Sequence, residues 1–275
     1  MGNKETKLTH KIYGENVLKE WKRLVKDPFH KLEFDTTLKF LKKYLPKNGM
    51  ILDAGGGPGR YSIELAKMGY NVVLLDLVPE HLEFAKKKIK QAKVQNKIKD
   101  IIIGTITDLS RFETNSFDVI LCLGGALSHV HPERERKEAV SELIRVAKKN
   151  APIFISVMGK LGTLTRFHRW IHEIKDTPHF KRFYLNGDDY QWHGGKAYAH
   201  FFELNELKSL FNSKINFLED VGLEGLATPA QEQINKMAKK EPVAWKNWLE
   251  MHNKLCTNPM VAEFSLHFMV IGKKK

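Results

Sequence analysis

Only two of the 275 residues are cysteine, Cys122 and Cys256. Neither falls in a CxxC or Cys/His finger spacing, so neither a disulfide framework nor a structural zinc site is expected. Long apolar runs are also missing. None reaches about 18 residues and the first 30 positions carry charges throughout, which argues against a spanning helix and a secretory h-region. The expectation is a cytoplasmic protein without membrane contact. Glycine (19) and proline (10) are too few for a fibrous or linker protein, and 42% hydrophobic residues are too many for a disordered one. Arginine is scarce as well: nine of the 45 cationic side chains, against 32 acids, in a chain of formal charge +13. The densest cationic run, Lys86 to Lys99, holds seven lysines and no acid. Arginine forks are the usual tools of phosphate and base recognition, so this lysine-rich balance reads as a solvated surface that at most attracts anions.

What is present is an alternation of periods. Leu18, Trp21, Leu24 and Val25, then Leu38, Phe40, Leu41 and Leu45, recur at helical spacing, and Pro46 with Asn48-Gly49 ends the second helix. Residues 50–54, 71–77, 100–106, 117–123 and 152–158 read as strands that are apolar nearly throughout, separated by amphipathic helices. That is the pattern of βαβ units in a parallel sheet covered on both faces. The expected fold is α/β, doubly wound, with a mostly parallel seven-stranded Rossmann-like sheet. Four regions follow: N-terminal helices (1–48), an α/β core (49–158), an inserted helical and aromatic lid or substrate segment (159–202), and a C-terminal part (203–275) completing the sheet. The last includes a helical insert at 229–255, between strands at 217–226 and 261–272. Residues 160–202 hold ten aromatics and five of the twelve histidines. Such a segment either folds over a site or packs its aromatics as its own core.

The first strand ends in Asp53-Ala54-Gly55-Gly56-Gly57-Pro58-Gly59, with a helix directly after. Glycines at a strand's C-terminal end let the backbone turn sharply and let a ligand approach it. The dinucleotide fingerprint requires glycine or alanine three positions after Gly57, where this chain has Arg60. The second strand ends in Asp76, whose carboxylate suits the hydroxyls of a ribose.

Together these residues resemble the class I S-adenosylmethionine (SAM)-dependent methyltransferases. Leu52 to Gly59 matches that family's first motif, and Asp76 matches the acid that ends its second strand. The similarity continues through Gly104 to Leu109, Ser116 to Ile120 and Leu123 to Val130. It is strongest over 49–158 and is nearest to the small-molecule group typified by ubiquinone and menaquinone biosynthesis methyltransferases. The resemblance implies SAM as cofactor and S-adenosylhomocysteine (SAH) as product. It implies that Asp53, with Ala54 behind it, orders the loop or meets the methionine amino end, which Gly55, Gly57 and Gly59 admit. Asp76 would hold the ribose, with Leu77, Thr105 and Ile106 around the adenine and Leu123 and Gly124 along the sulfonium. Relatives usually carry aspartate where this chain has Thr105, so the adenine amino contact passes to a backbone carbonyl or to Asp108.

Methyl transfer is an in-line displacement governed by alignment and exclusion of water, with a base where the acceptor carries a proton. His129, just beyond the fourth strand, is the candidate base; a loop-capping histidine is the alternative. Tyr13, Tyr190, His193, Tyr198 and His200 are candidate acceptor-binding residues. His168 and His172 have a helix-chelating spacing without a third ligand, so no metal is expected. The fourth strand lacks the Asn/Asp-Pro-Pro-aromatic stretch of base-amine methyltransferases, and Cys122 lacks the preceding proline of cysteine-nucleophile ones. The acceptor is therefore expected to be a small molecule. The alternatives are an RNA methyltransferase using the lysine surface, or a nucleotide-cofactor protein without methyltransferase activity.

Overall fold

Ile51–Ala54 of the first strand are completely buried, because the strand lies at the centre of a sheet covered on both faces. The computed structural model describes residues 4–190, 198–211 and 213–275. Its sheet strands are β1 Met50–Ala54, β2 Asn71–Asp76, β3 Ile98–Ile103, β4 Val119–Cys122, β5 Pro152–Met158, β6 Ile215–Gly222 and β7 His267–Lys274. They lie in the order β3-β2-β1-β4-β5-β7-β6. The first five run parallel, and β7 pairs antiparallel with both β5 and β6. The strand order reverses between β1 and β4, which opens a crevice at their carboxyl ends.

Three helices precede the sheet: α1 Lys4–Glu15, α2 Val17–Arg23 and α3 Pro28–Tyr44. Asp27 caps α3 by accepting from the His30 N–H, and Pro28 occupies its first turn. Next come α4 Arg60–Lys67, α5 Pro79–Ala92 and α6 Glu133–Val146. Strand β1 sends Leu52 and Ala54 to the core shared with α6, and Ile51 to the core shared with α3 and α4. The alternation of a strand thus feeds two layers.

Beyond β5 lie α7 Lys160–Leu164, α8 Ile171–Lys175 and α9 Thr177–Asn186, then a two-stranded ribbon pairing 188–189 with 199–200. Phe167 packs against Trp170, Phe180 and Phe183, and Phe183 against Phe201, so these aromatics form a small core of their own. His168 sits on a 3-10 turn and His172 on α8, so their spacing of four does not lie along one helix.

Helices α10 Leu204–Ser209, α11 Gln231–Lys240, α12 Pro242–Leu255 and α13 Pro259–Glu263 complete the chain. The single helical insert expected at 229–255 is broken at Glu241-Pro242, where proline cannot continue the preceding helix. The last strand starts at His267 instead of 261, because Asn258 and Pro259 start α13 there. The fourth strand is shorter than expected, and Phe117 makes only an isolated bridge to Ala147. Among the described residues no helix is long and apolar enough to cross a membrane.

Candidate active site at the carboxyl edge of the sheet

The loop after β1 is tied to β2 from both sides. Gly55 and Gly56 donate to the Leu75 carbonyl, and the Gly57 N–H donates to Asp76 Oδ2 at 2.8 Å. Gly55 has φ +77°, and a Cβ there would stand 2.5 Å from that of Ala126. Gly56 lies so close to the Asp53 carboxyl that a Cβ would fall 2.6 Å from it. Only glycine lets the loop pass between β1, β2 and the turn after β4.

Two cavities border this loop, and a third adjoins both at Glu20 and Gly124. The first, about 830 Å3 counted to its open mouth, is bordered by Gly55, Gly57, Asp76, Leu77, Thr105, Ile106 and Gly124, with Tyr13 and Glu20 above. The second continues past Gly55, Gly57 and Gly124 to Asp53, Arg23, Arg60 and Leu123. The third, about 1440 Å3, shares Tyr13, Glu20, Gly124 and His129 with the first, and runs out to Met158, Asp189, Phe201 and His267. Helix α2 therefore borders all three, and α1 borders the first and third.

Asp53 is fully buried. Its Oδ2 accepts from the Ser62 hydroxyl at 2.6 Å, while Oδ1 has no partner among the described residues. Burial pushes its carboxyl up to about 6, Ser62 opposing and Asp76 adding to the rise. Asp76 accepts from Gly57 on one oxygen and from Val78 on the other. Each oxygen keeps a lone pair for a ligand.

His129 closes the 3-10 turn Ala126–His129 that follows β4. Its Nδ1–H donates to the Tyr198 carbonyl at 2.7 Å, leaving Nε2 to accept from the Tyr13 hydroxyl, also at 2.7 Å. A carbonyl only accepts, so the tautomer is set. Burial holds the imidazole below its ordinary range and raises the Tyr13 phenol.

Arg23 crosses between the second and third cavities. Its Nε donates to Glu20 (2.8 Å), and its Nη1 and Nη2 donate to Glu33 (2.6 and 3.3 Å). Burial would lower the guanidinium, but Glu33 and Glu20 outweigh it and hold it well above its usual value. Arg60 donates to the Trp21 carbonyl and lies over the indole ring, 4.0 Å from its centroid.

Several side chains singled out by sequence stand elsewhere. Asp108 is exposed, accepts from the Ser110 N–H and borders none of these cavities, since the chain turns outward after Thr107. Ala54 is buried within β1, and Gly59 packs against Ala85 and Leu74. The Tyr198 hydroxyl donates to Asp188 and accepts from Arg136. His200 bridges Asp188 and Glu206. Both side chains are saturated behind the cavity wall and reach no open space. Tyr190 packs on His131 and Tyr198 without lining the three cavities, and His193 lies outside the described residues. Sequence reasoning missed Glu20, Arg23, His267 and His81, which borders the first cavity with Nδ1 3.3 Å from Asp76 Oδ1. Glu20 and Arg23 at i, i+3 on a helix were a usable signal; His267 had none.

Residues 51–150 match the family model of a methyltransferase domain. Residues 51–150 are thus a methyltransferase domain. The chain is 28% identical over 153 residues to a glycine/sarcosine N-methyltransferase of Parasynechococcus marenigrum, covering 55% of this chain and 52% of that protein. It is 30% identical over 159 residues to a ubiquinone biosynthesis O-methyltransferase of Xylella fastidiosa, covering 54% and 63%. The match thus spans about half the length of the first of these relatives. Among solved structures, a SAM-dependent methyltransferase of Methanosarcina mazei aligns with a TM-score of 0.56 at 21% identity, covering 86% of this chain and 96% of that one. The [4+2]-cyclase SpnF aligns with a TM-score of 0.55 at 12% identity, covering 87% and 80%. At these identities the likeness shows the fold alone. The fold hosts more than one reaction.

Proposed function

We propose that the protein transfers the methyl group of SAM to a small acceptor held in the third cavity. The observation that carries this is that all three cavities share Gly124 and Glu20, and the first and third also share Tyr13 and His129. A sulfonium beside Gly124 would present its methyl group to the acceptor from the cofactor side. The residues fit this cofactor. Asp53 Oδ1 is a buried oxygen without a partner bordering the second cavity, suited to an ammonium, and Arg23 and Arg60 supply cations for the carboxylate beside it. Asp76 suits the ribose hydroxyls, and Leu77, Thr105 and Ile106 suit the adenine.

The protein's contribution to the reaction is alignment and exclusion of water. Helices α1 and α2 cover the cofactor side, and residues 159–202 contribute Asp189, Ala199 and Phe201 to the acceptor side. His129, with its Nδ1–H fixed by Tyr198, takes hydrogen bonds through Nε2, so a proton leaving the acceptor passes through the Tyr13 hydroxyl towards it. Both curated relatives carry small-molecule activities in their names, and the reading extends that class to this chain. The lysine run favours no nucleic acid: Lys86 pairs with Glu83, Lys88 bonds to Gln91, and none of the seven lines the three cavities. Melting curves with SAM, SAH and NAD test the reading. SAM and SAH should raise the melting temperature and NAD should not; stabilisation by NAD alone would overturn it.

A further inference from the structure

The far end of the third cavity is built from four separate stretches of chain and has charges of its own. His267, the first residue of β7, borders the cavity there. Its Nδ1 lies 2.7 Å from Glu224 Oε1 and 3.7 Å from Glu33 Oε2. Glu224 Oε2 accepts in addition from the His267 N–H and the Ser265 hydroxyl. Both glutamate side chains are 2% exposed and the imidazole 16%. The carboxylates are therefore more deeply buried than the ring, and His267 borders the cavity.

Glu33 and Glu224 with His267 would be close enough to hold a metal ion. The cluster carries its own counter-cations, however, since Arg23 already places two N–H groups on Glu33. Arg23 serves Glu33 and Glu20 and His267 serves Glu224, so each carboxylate already has a partner without a metal. Burial alone would push His267 down, but Glu33 and Glu224 outweigh it, and the ring is held above its ordinary range with Arg23 opposing. An imidazolium whose Nδ1–H is committed to Glu224 has one donor left. Nε2 has no hydrogen-bond partner among the described residues.

The rim of the same cavity is cationic. Lys19 and Lys26 are exposed and make no ion pair among the described residues, His30 is bonded to Asp27, and Glu20 is bonded to Arg23. Asp189 is the other acid on this wall and is itself partnered. We propose that this end of the cavity is a subsite for an acidic group of the methyl acceptor, a carboxylate or a phosphate, received by His267 Nε2–H beneath a rim of Lys19 and Lys26. The acceptor is thereby an acid-bearing small molecule, oriented with its nucleophile towards Gly124 and its acidic end towards His267. Such a charge-assisted hydrogen bond selects acids and rejects amines of the same shape.

The inference rests on the methyltransferase reading, and the test separates the two. The protein saturated with SAH is titrated calorimetrically with benzoate, inorganic phosphate and benzylamine, wild type beside His267→Gln. Wild type should bind benzoate or phosphate and not benzylamine. The affinity should fall as pH rises through the titration of His267, where the ring loses its Nε2 proton. His267→Gln should weaken the acid at least about tenfold while SAH affinity stays within about twofold. Ring resonances of wild-type His267 supply a second readout in case the variant folds poorly, and benzoate should shift them and raise the pH at which they titrate. Binding of benzylamine in preference, no binding of either acid, an unaffected variant, or an unmoved His267 resonance would each overturn the subsite. Failure of SAH itself to bind would overturn the methyltransferase reading instead.

Discussion

Replacing Asp53 with asparagine separates what this carboxylate does for a ligand from what it costs the fold. Burial raises its folded-state value from 3.8 to about 6. Below pH 3.8 the carboxyl is protonated in both folded and unfolded chains and contributes nothing. As pH rises from 3.8 to 6 the unfolded chain ionises first, and the fold loses up to about 3 kcal/mol, at about 1.4 kcal/mol per unit. That penalty stands in full at pH 7. Asparagine removes it, but sets an amide nitrogen where Oδ1 has no partner, at a cost of about 1–3 kcal/mol. The unliganded variant should therefore melt at pH 7 no lower than wild type, and up to several degrees higher. For SAM the sign is opposite. Losing a charge-assisted hydrogen bond to the ammonium, worth about 1.5–3 kcal/mol, weakens binding by about 10- to 150-fold. Wild-type affinity should itself fall about tenfold per pH unit below 6, as the free carboxyl protonates. Calorimetric titration of SAM from pH 5 to 8, with melting curves on the same samples, reads all three quantities. A variant that binds SAM like wild type, or that loses 3 kcal/mol of unliganded stability, would refute this account of Asp53.

Other outcomes follow from the same geometry. Gly55→Ala brings a Cβ against Ala126 at a φ that side chains rarely adopt, so it should lose about 1–3 kcal/mol of stability and most SAM binding; a wild-type melting curve would contradict the loop geometry. Asp76→Asn keeps acceptors for Gly57 and Val78 only in part and should weaken SAM by about tenfold or more; unchanged binding would remove Asp76 from the ribose role. His129→Ala should lower turnover more than SAM affinity, and a selective loss of affinity would make the residue a binding group. His252 is buried against Thr36, and burial lowers it to about 4, so the fold loses stability as pH falls from 6.5 towards 4, by up to about 3 kcal/mol. His252→Gln should flatten that acid limb in pH-dependent melts, and an unchanged slope would contradict the assignment.

The parts of this architecture legible in sequence are those set by local pattern. Strands β1, β2, β4 and β5 are buried on both faces and read as apolar runs, and the glycines after Asp53 mark a turn that only glycine permits. The loop and Asp76 are neighbours because adjacent parallel strands end together, which spacing alone conveys. The acceptor side was not legible for the opposite reason. Arg23 and Glu33 lie ten residues apart on α2 and α3, but Glu224 and His267 are far from them and from each other in sequence, and only tertiary packing unites the four. Composition drew attention to Tyr198 and His200 but carries no side-chain direction. In the fold both turn into the ion pairs of Asp188, and Tyr198 reaches the site only through its carbonyl. His168 and His172 failed as a chelating pair because the chain changes element between them.

The central claim is that one cleft binds SAM and hands its methyl group to a separate cavity, with a cationic rim, through the gap at Gly124. A crystal structure with SAH bound tests it most directly. The account predicts ribose hydroxyls on Asp76, the ammonium on Asp53 Oδ1, and sulfur beside Gly124 facing His129 and Tyr13. A ligand with its ribose away from Asp76, or its sulfur turned from the third cavity, would contradict it.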